Sequence, residues 1–257
     1  MATVARMSAI VHCHIVNSVA TITLDSPGNR NALSVQLVTE LAQALDRADQ
    51  PDVRAVVLAH TPPVFCAGAD LKERSSAPQP GADAPKNPMG TILEKLSSMA
   101  APTIAAVDGP VRAGGVGIMA ACDLVVVNSS VTFAFTEVRI GVAPAVISVP
   151  ILARCGWSKL AAPFLTGETF DAATAKDMGL VTHVSDDVAA TVQGLVKGIL
   201  SGAPKAVAAT KRVLRQGAPN LAEMAALSEA LFRSEEAAEG MAAFIEKRPP
   251  AWMVPES

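Results

Sequence analysis

The sequence predicts an α/β protein in two parts: strands alternating with helices over residues 1–186, then a helical C-terminal subdomain over 187–257. Two observations carry this. Short apolar runs such as Val53 to Ala59 and Thr103 to Val107 alternate with segments of helical spacing. After about Asp186 the pattern turns Ala-rich and helical throughout. Composition agrees: 257 residues with 50% apolar and 18% charged side chains can bury a sizeable core and are not a disordered chain.

Taken in order, Ile15 to Leu24 is rich in β-branched residues and runs into the turn Asp25-Ser26-Pro27-Gly28, so it reads as a strand. Ser34 then caps a helix whose apolar positions, Leu37, Val38, Leu41, Ala42 and Leu45, recur at helical spacing. Val53 to Ala59 reads as a strand buried on both faces. Ser75 to Pro88 carries Pro78, Pro80, Pro85 and Pro88 and is expected to be a mobile loop. A helix over Gly90 to Met99, a strand over Thr103 to Val107, a Gly-rich turn and a short apolar helix to Cys122 follow. Leu124 to Val127 and Val131 to Phe135 read as further strands. The helical patterns of the last part are Val188 to Leu200, Pro204 to Arg215 and Leu221 to Phe244.

Several classes of function are disfavoured. Lys and Arg number 21 against 24 Asp and Glu, a net charge of -3. That leaves no broad basic field for nucleic acid or an anionic membrane. Aromatics are 4% with no Tyr, which leaves no platform for stacking bases. The apolar stretch Ile140 to Ala153 is too short for a membrane span and holds Pro144 and Pro150. Four scattered cysteines, Cys13, Cys66, Cys122 and Cys155, suit a reducing compartment. Met1 to Ile10 has no apolar run ahead of a cleavage signal, so a cytoplasmic protein is expected.

Three stretches could carry chemistry. Phe65-Cys66-Ala67-Gly68-Ala69-Asp70-Leu71 follows a buried strand, and its small residues allow a ligand close to the backbone, or simply make a tight turn. Asp108-Gly109-Pro110-Val111-Arg112-Ala113-Gly114-Gly115-Val116-Gly117 opens an apolar helix. The unpaired N–H groups of a helix start can hold an anion or an oxyanion formed during reaction, while the same small residues also suit close helix packing. In Phe133 to Pro144 one carboxylate, Glu137, sits among apolar residues. Desolvation would raise its pKa toward the range useful for proton transfer unless Arg139 offsets it; the alternative is an ordinary helix-start glutamate.

Competing motifs are weaker. Gly115-Val116-Gly117-Ile118-Met119-Ala120 matches G-x-G-x-x-A, but Asp123 follows Gly115 by only eight positions. A dinucleotide-binding unit needs roughly thirty residues, with its first glycine close behind a strand. His12 and His14 share one face of a strand, yet no further metal ligand is signalled. No G-x-S-x-G elbow is present.

In order and spacing, these stretches resemble the crotonase, or enoyl-CoA hydratase/isomerase, superfamily over nearly the whole chain. The resemblance runs through Asp25-Ser26-Pro27 with Asn31-Ala32-Leu33, the segment Phe65 to Leu71, and Ala105-Ala106-Val107-Asp108-Gly109. It continues through Ala113-Gly114-Gly115, Cys122-Asp123-Leu124, Leu165-Thr166-Gly167-Glu168, Ala175 to Val181 and the tail Ala243 to Arg248. It implies a spiral core of β-β-α units, C-terminal helices that assemble a homotrimer or hexamer, and acyl-CoA thioester substrates. Coenzyme A would then arrive as part of the substrate, with no separate cofactor and no metal. By the motif match, the backbone N–H groups of Ala69 and Gly114 would form an oxyanion hole. Coenzyme A would lie near Arg30, Ala67, Gly68 and Leu71, with Phe244 and Lys247 reaching the adenine end, from a neighbouring subunit if not their own.

The departure from the family pattern is at Gly117. The best-known hydratases carry two glutamates, and counting back from Cys122-Asp123 puts Gly117 in the place of the first. Glu137 holds the place of the second. A two-carboxylate mechanism is therefore not available. The resemblance favours a hydratase working with Glu137 alone, because Glu137-Val138-Arg139-Ile140-Gly141 followed by Pro144-Ala145-Val146-Ile147-Ser148 looks like a subgroup that includes methylglutaconyl-CoA-type hydratases. The alternatives are an isomerase shuttling a proton between C2 and C4 of an enoyl-CoA, and a non-catalytic acyl-CoA-binding protein.

Overall fold

A computed structural model of the chain describes residues 8–76, 88–217 and 219–253. The chain opens with a hairpin, β1 (Val11–Val16) and β2 (Val19–Leu24), antiparallel with Val16 opposite Val19. This corrects the single strand expected over Ile15 to Leu24. Asn17 and Ser18 both take left-handed backbone, at φ 49° and 62°, the geometry of a two-residue hairpin turn, without the glycine that usually announces one.

Helix α1 (Val35–Ala48) starts where the capping residue places it: Ser34 Oγ accepts from Leu37 N–H at 3.2 Å. Its Leu37, Leu41 and Leu45 are fully buried. Then come β3 (Ala55–His60), the short α2 (Leu71–Ser76), α3 (Pro88–Ser98) and β4 (Thr103–Val107). Strand β5 (Val111–Arg112) leads into α4 (Gly114–Ala121), followed by β6 (Leu124–Val127) and β7 (Thr132–Ala134). A 3-10 turn over Thr136–Ile140 precedes α5 (Ala145–Cys155) and α6 (Trp157–Thr166). Strand β8 (Thr169–Asp171), α7 (Ala172–Met178) and β9 (His183–Val184) complete this part. The expected loop over Ser75 to Pro88 falls outside the described residues from 77 to 87.

Six strands form one sheet in the order β1-β2-β3-β4-β6-β9, parallel throughout except for β1, and β5, β7 and β8 form a second, three-stranded sheet. Side chains alternate across the larger sheet. Val56 and Leu58 face the main core under α1, α3 and α4, while Val57, Ile104 and Val126 face the other side. That second face is covered by α8 (Val188–Ser201), through Val188 and Val192, so the first helix after residue 186 is itself a layer of the core.

Helix α9 (Pro204–Arg215) is tied down by charge. Lys211 Nζ lies 2.8 Å from Asp123 Oδ2, and Arg215 pairs with Asp123 Oδ1 at 2.8 Å. The helix expected over Leu221 to Phe244 is two helices, α10 (Leu221–Phe232) and α11 (Glu235–Glu246). They break at Ser234, whose side chain accepts from Ala237 N–H at 3.1 Å; the unbroken Ala-rich pattern hides this cap. Leu221, Phe232, Phe244 and Ile245 stand exposed on these two helices. No helix among the described residues is long and apolar enough to cross a membrane.

Candidate active site

Two parallel bridges bring the small-residue loops together: Leu33 opposite Ala69, and Cys66 opposite Val111. Arg112 N–H donates to Cys66 O at 2.9 Å and Leu33 N–H to Gly68 O at 2.8 Å. Gly68 has φ +91°, and a Cβ there would stand 3.0 Å from the Ala113 Cβ, so glycine lets the two loops meet. Gly115 is a packing residue: a Cβ on it would fall 2.5 Å from the Cys66 Cβ.

Between these loops, the 3-10 turn and α5 lies a cleft of about 630 Å³. Ala67, Ala69, Leu71, Gly114 and Glu137, all named from the sequence, line it. Gly114 is the first residue of α4, so its N–H has no acceptor in its own helix. The residue before it, Ala113, holds an uncommon φ of 49° with ψ -122°, which aims the helix start. Around Ala69, the bonds from Leu33 N–H to Gly68 O and from Asp70 N–H to Leu33 O leave the Ala69 amide out of the ladder.

Glu137 sits on the 3-10 turn, anchored from behind by Phe135, whose ring lies 4.2 Å from that of Phe164 and 5.7 Å from that of Phe170. Its Oε2 is buried with no hydrogen-bond partner among the described residues. Burial pushes its pKa above the usual carboxylate value, opposed only by its own backbone amide. Arg139 does not offset this, because its Nε turns to Thr166 O at 3.3 Å. Arg112 is likewise turned inward, donating to Thr132 O at 2.6 Å and Thr132 Oγ1 at 2.9 Å.

The structure gives Gly117 a physical reason. A Cβ on it would lie 2.4 Å from Ile147 Cγ2, 2.6 Å from Ile147 Cβ and 3.3 Å from its Cα. Helix α5 therefore packs directly against the place where a second carboxylate would project, and Ile147 itself lines the cleft. The wall there, with Val142, Ala143, Val146 and Ile147, is apolar.

Other residues named from the sequence lie elsewhere. Gly68 is beneath the cleft rather than on its wall, and Arg30 is exposed at the end of a turn, its carbonyl accepting from Ala67 N–H at 3.1 Å. Phe244, 85% exposed, and Lys247 at the end of α11 do not line the cleft of their own chain. His12 pairs with Asp25 at 3.0 Å, and no group of three metal-ligating side chains occurs among the described residues. Sequence reasoning missed Glu73 and Arg74, which line the cleft from α2. Their nearness in sequence to Ala69 is the one signal that could have pointed to them.

Comparison with known proteins gives the family and the fold. The family model described as enoyl-CoA hydratase/isomerase matches residues 14–254. The enoyl-CoA hydratase EchA19 of Mycobacterium tuberculosis is 35% identical over 247 residues, 89% of this chain and 91% of that protein. The enoyl-CoA isomerase/hydratase fer4 of Mycosarcoma maydis is 31% identical over 249 residues, 89% of this chain and 90% of its own. The crystal structure of an enoyl-CoA hydratase of Mycobacterium smegmatis superposes with a TM-score of 0.88 at 28% identity, covering 96% of this chain and 100% of that one. The chain belongs to the enoyl-CoA hydratase/isomerase family, the crotonase superfamily.

Proposed function

We propose that this protein adds water across the double bond of a 2-enoyl-CoA, with Glu137 as the one side chain that moves protons. The observation that carries the reading is the buried, unpartnered Glu137 Oε2 in the same cleft as the Ala69 and Gly114 amides. In this mechanism the Glu137 carboxylate takes a proton from water as the oxygen bonds to C3. The double-bond electrons shift toward the thioester oxygen, and the resulting enolate is held by the two N–H groups. Glu137 then returns its proton to C2, the thioester carbonyl re-forms, and the product is the 3-hydroxyacyl-CoA. One carboxylate suffices because it gives back the proton it took. Each oxyanion donor is worth about 3–4 kcal/mol in comparable enzymes.

Ala67, Gly68, Leu71 and Arg30 would hold the coenzyme A portion. Phe244 and Lys247 would act on it from another copy, in the trimer or hexamer that the exposed apolar side chains of α10 and α11 support. The apolar wall at Ile147 favours a second reading. With Ile147 rather than a second carboxylate beside Gly117, the same Glu137 could instead move a proton between C2 and C4.

Product mass over a panel of 2-enoyl- and 3-enoyl-CoAs, with Glu137→Gln alongside, tests both readings. A gain of one water that needs Glu137 supports hydration, and a double-bond shift at constant mass supports isomerisation. Binding of CoA thioesters without turnover of any of them overturns both.

A further inference from the structure

The turn that leads to Gly114 is tied at its root to a side chain outside the cleft. The pairing of β4 with β6 ends at Val107 opposite Val127, and the next N–H, that of Asp108, donates to His60 Nε2 at 3.0 Å. A backbone N–H can only donate, so Nε2 presents its lone pair and the ring carries its proton on Nδ1, which donates to Thr61 O at 3.1 Å. The two partners therefore fix His60 as one neutral tautomer. Burial favours the same state, pushing the His60 pKa below its ordinary value. The ring is also held edge-on to Phe65, with centroids 5.4 Å apart and planes at 78°.

The chain that follows His60 depends on such side-chain support. Thr61 is followed by Pro62 and Pro63, neither of which has an N–H to donate. Side chains meet the carbonyls instead: His60 Nδ1–H donates to Thr61 O, and Asn31 Nδ2 donates to Val64 O at 2.8 Å. The turn after β4 rests directly on this segment. A Cβ on Gly109 would stand 2.3 Å from Pro63 O, and Phe65 N–H donates to Pro110 O at 3.2 Å. Phe65 leads on to Ala69, and Pro110 leads on to Gly114.

Building on the enoyl-CoA reading, we propose that His60 is a positioning residue: its neutral ring ties the segment ahead of Ala69 to the turn ahead of Gly114 and so sets the spacing of the two oxyanion donors. The residue is not part of the cleft lining and acts only through the two backbones. Its influence falls on the enolate more than on the bound substrate, because full charge reaches the thioester oxygen only during reaction.

The test compares His60→Gln, His60→Asn and His60→Leu with wild type at pH 8. Gln puts Oε1 where Nε2 stands and keeps the acceptor for Asp108 N–H. Asn puts Nδ2 where Nδ1 stands and keeps only the donor to Thr61 O, and Leu keeps neither. Each protein is titrated calorimetrically with butyryl-CoA, whose thioester carbonyl is neutral, and with acetoacetyl-CoA, which can lose its acidic C2 proton to solvent and bind as the enolate. Wild type and His60→Gln should prefer acetoacetyl-CoA by a similar ratio. In His60→Asn and His60→Leu that ratio should shrink roughly 10-fold, about the worth of one hydrogen bond, with butyryl-CoA affinity unchanged. For any enoyl-CoA turned over, kcat should fall in the same order with KM unchanged.

Equal losses for both ligands, a ratio in His60→Asn matching wild type, or a His60→Gln no better than His60→Asn would each overturn the proposal, since a packing role alone does not distinguish Gln from Asn or enolate from carbonyl. Binding does not require turnover. A ratio that depends on His60 in a protein turning over no enoyl-CoA would refute the proposed reaction and leave this inference standing.

Discussion

Replacing Gly117 with alanine adds one methyl group where Ile147 already stands. Carbon atoms in contact sit about 3.5–4.0 Å apart, whereas the new Cβ would meet Ile147 Cγ2 at 2.4 Å and Cβ at 2.6 Å. Turning the Ile147 side chain moves the Cγ2 away, but the Cβ and the Cα at 3.3 Å are fixed to the α5 backbone. Relief therefore requires α5 to back away from α4 by about 1 Å. Overpacking of this kind costs about 1–3 kcal/mol. The better helix propensity of alanine returns up to about 1 kcal/mol, leaving a net loss of about 2 kcal/mol when the overlap sits at the upper end of that range. The assay is urea denaturation at fixed protein concentration, compared with Gly194→Ala on α8, where nothing lies within 4 Å of the added methyl. Gly194→Ala should gain about 0.5–1 kcal/mol from reduced unfolded-chain freedom alone. If Gly117→Ala gained as much as Gly194→Ala, α5 would not be seated on α4 as described. For the same reason Gly117→Glu should destabilise the fold rather than install a second catalytic carboxylate.

The remaining expectations concern charge and the donor loop. The raised pKa of Glu137 places the acid limb of kcat/KM above the free carboxyl value of about 4.3, readable from a pH-rate profile. Because the folded state holds that proton more tightly than the unfolded chain, stability declines as pH rises from that value through the raised pKa. Glu137→Gln should therefore be more stable than wild type at pH 7, with the gap closing toward pH 4, while turnover falls by roughly 10²- to 10⁴-fold. Gly114→Pro removes one proposed oxyanion donor and strains the turn, because the residue before a proline favours extended backbone and Ala113 has φ 49° and ψ -122°; turnover should fall by at least about 10²-fold in a variant that circular dichroism shows to be folded. Wild-type-like activity in that variant would remove Gly114 from the mechanism. Lys211, 6% exposed, holds Asp123 and donates to Ala101 O at 3.0 Å; Lys211→Met should cost about 3 kcal/mol in a denaturant midpoint by leaving a half-buried carboxylate short of one partner.

Where a local signal is strong and unambiguous, the sequence alone determined the outcome. Ser34 and the spacing of Leu37, Leu41 and Leu45 define α1; the continuous apolar run of Thr103 to Val107 defines β4; and the glycines after Ala113 mark the start of α4. Glu137 could be named because one acid among apolar neighbours is visible along the chain. Local signals also misled: Asn17-Ser18 turns a hairpin without glycine, and an unbroken Ala-rich pattern runs over the break at Ser234. Only the tertiary structure decided the rest. The bridges from Leu33 to Ala69 and from Cys66 to Val111 join the two donor loops, Ile147 occupies the space beside Gly117, and the six-residue α2 turns Arg74 into the cleft. Each of these is a contact between segments far apart in sequence or the facing of a helix too short to show a period. Such relations depend on how neighbouring layers fill space, and composition, spacing and capping carry no record of that.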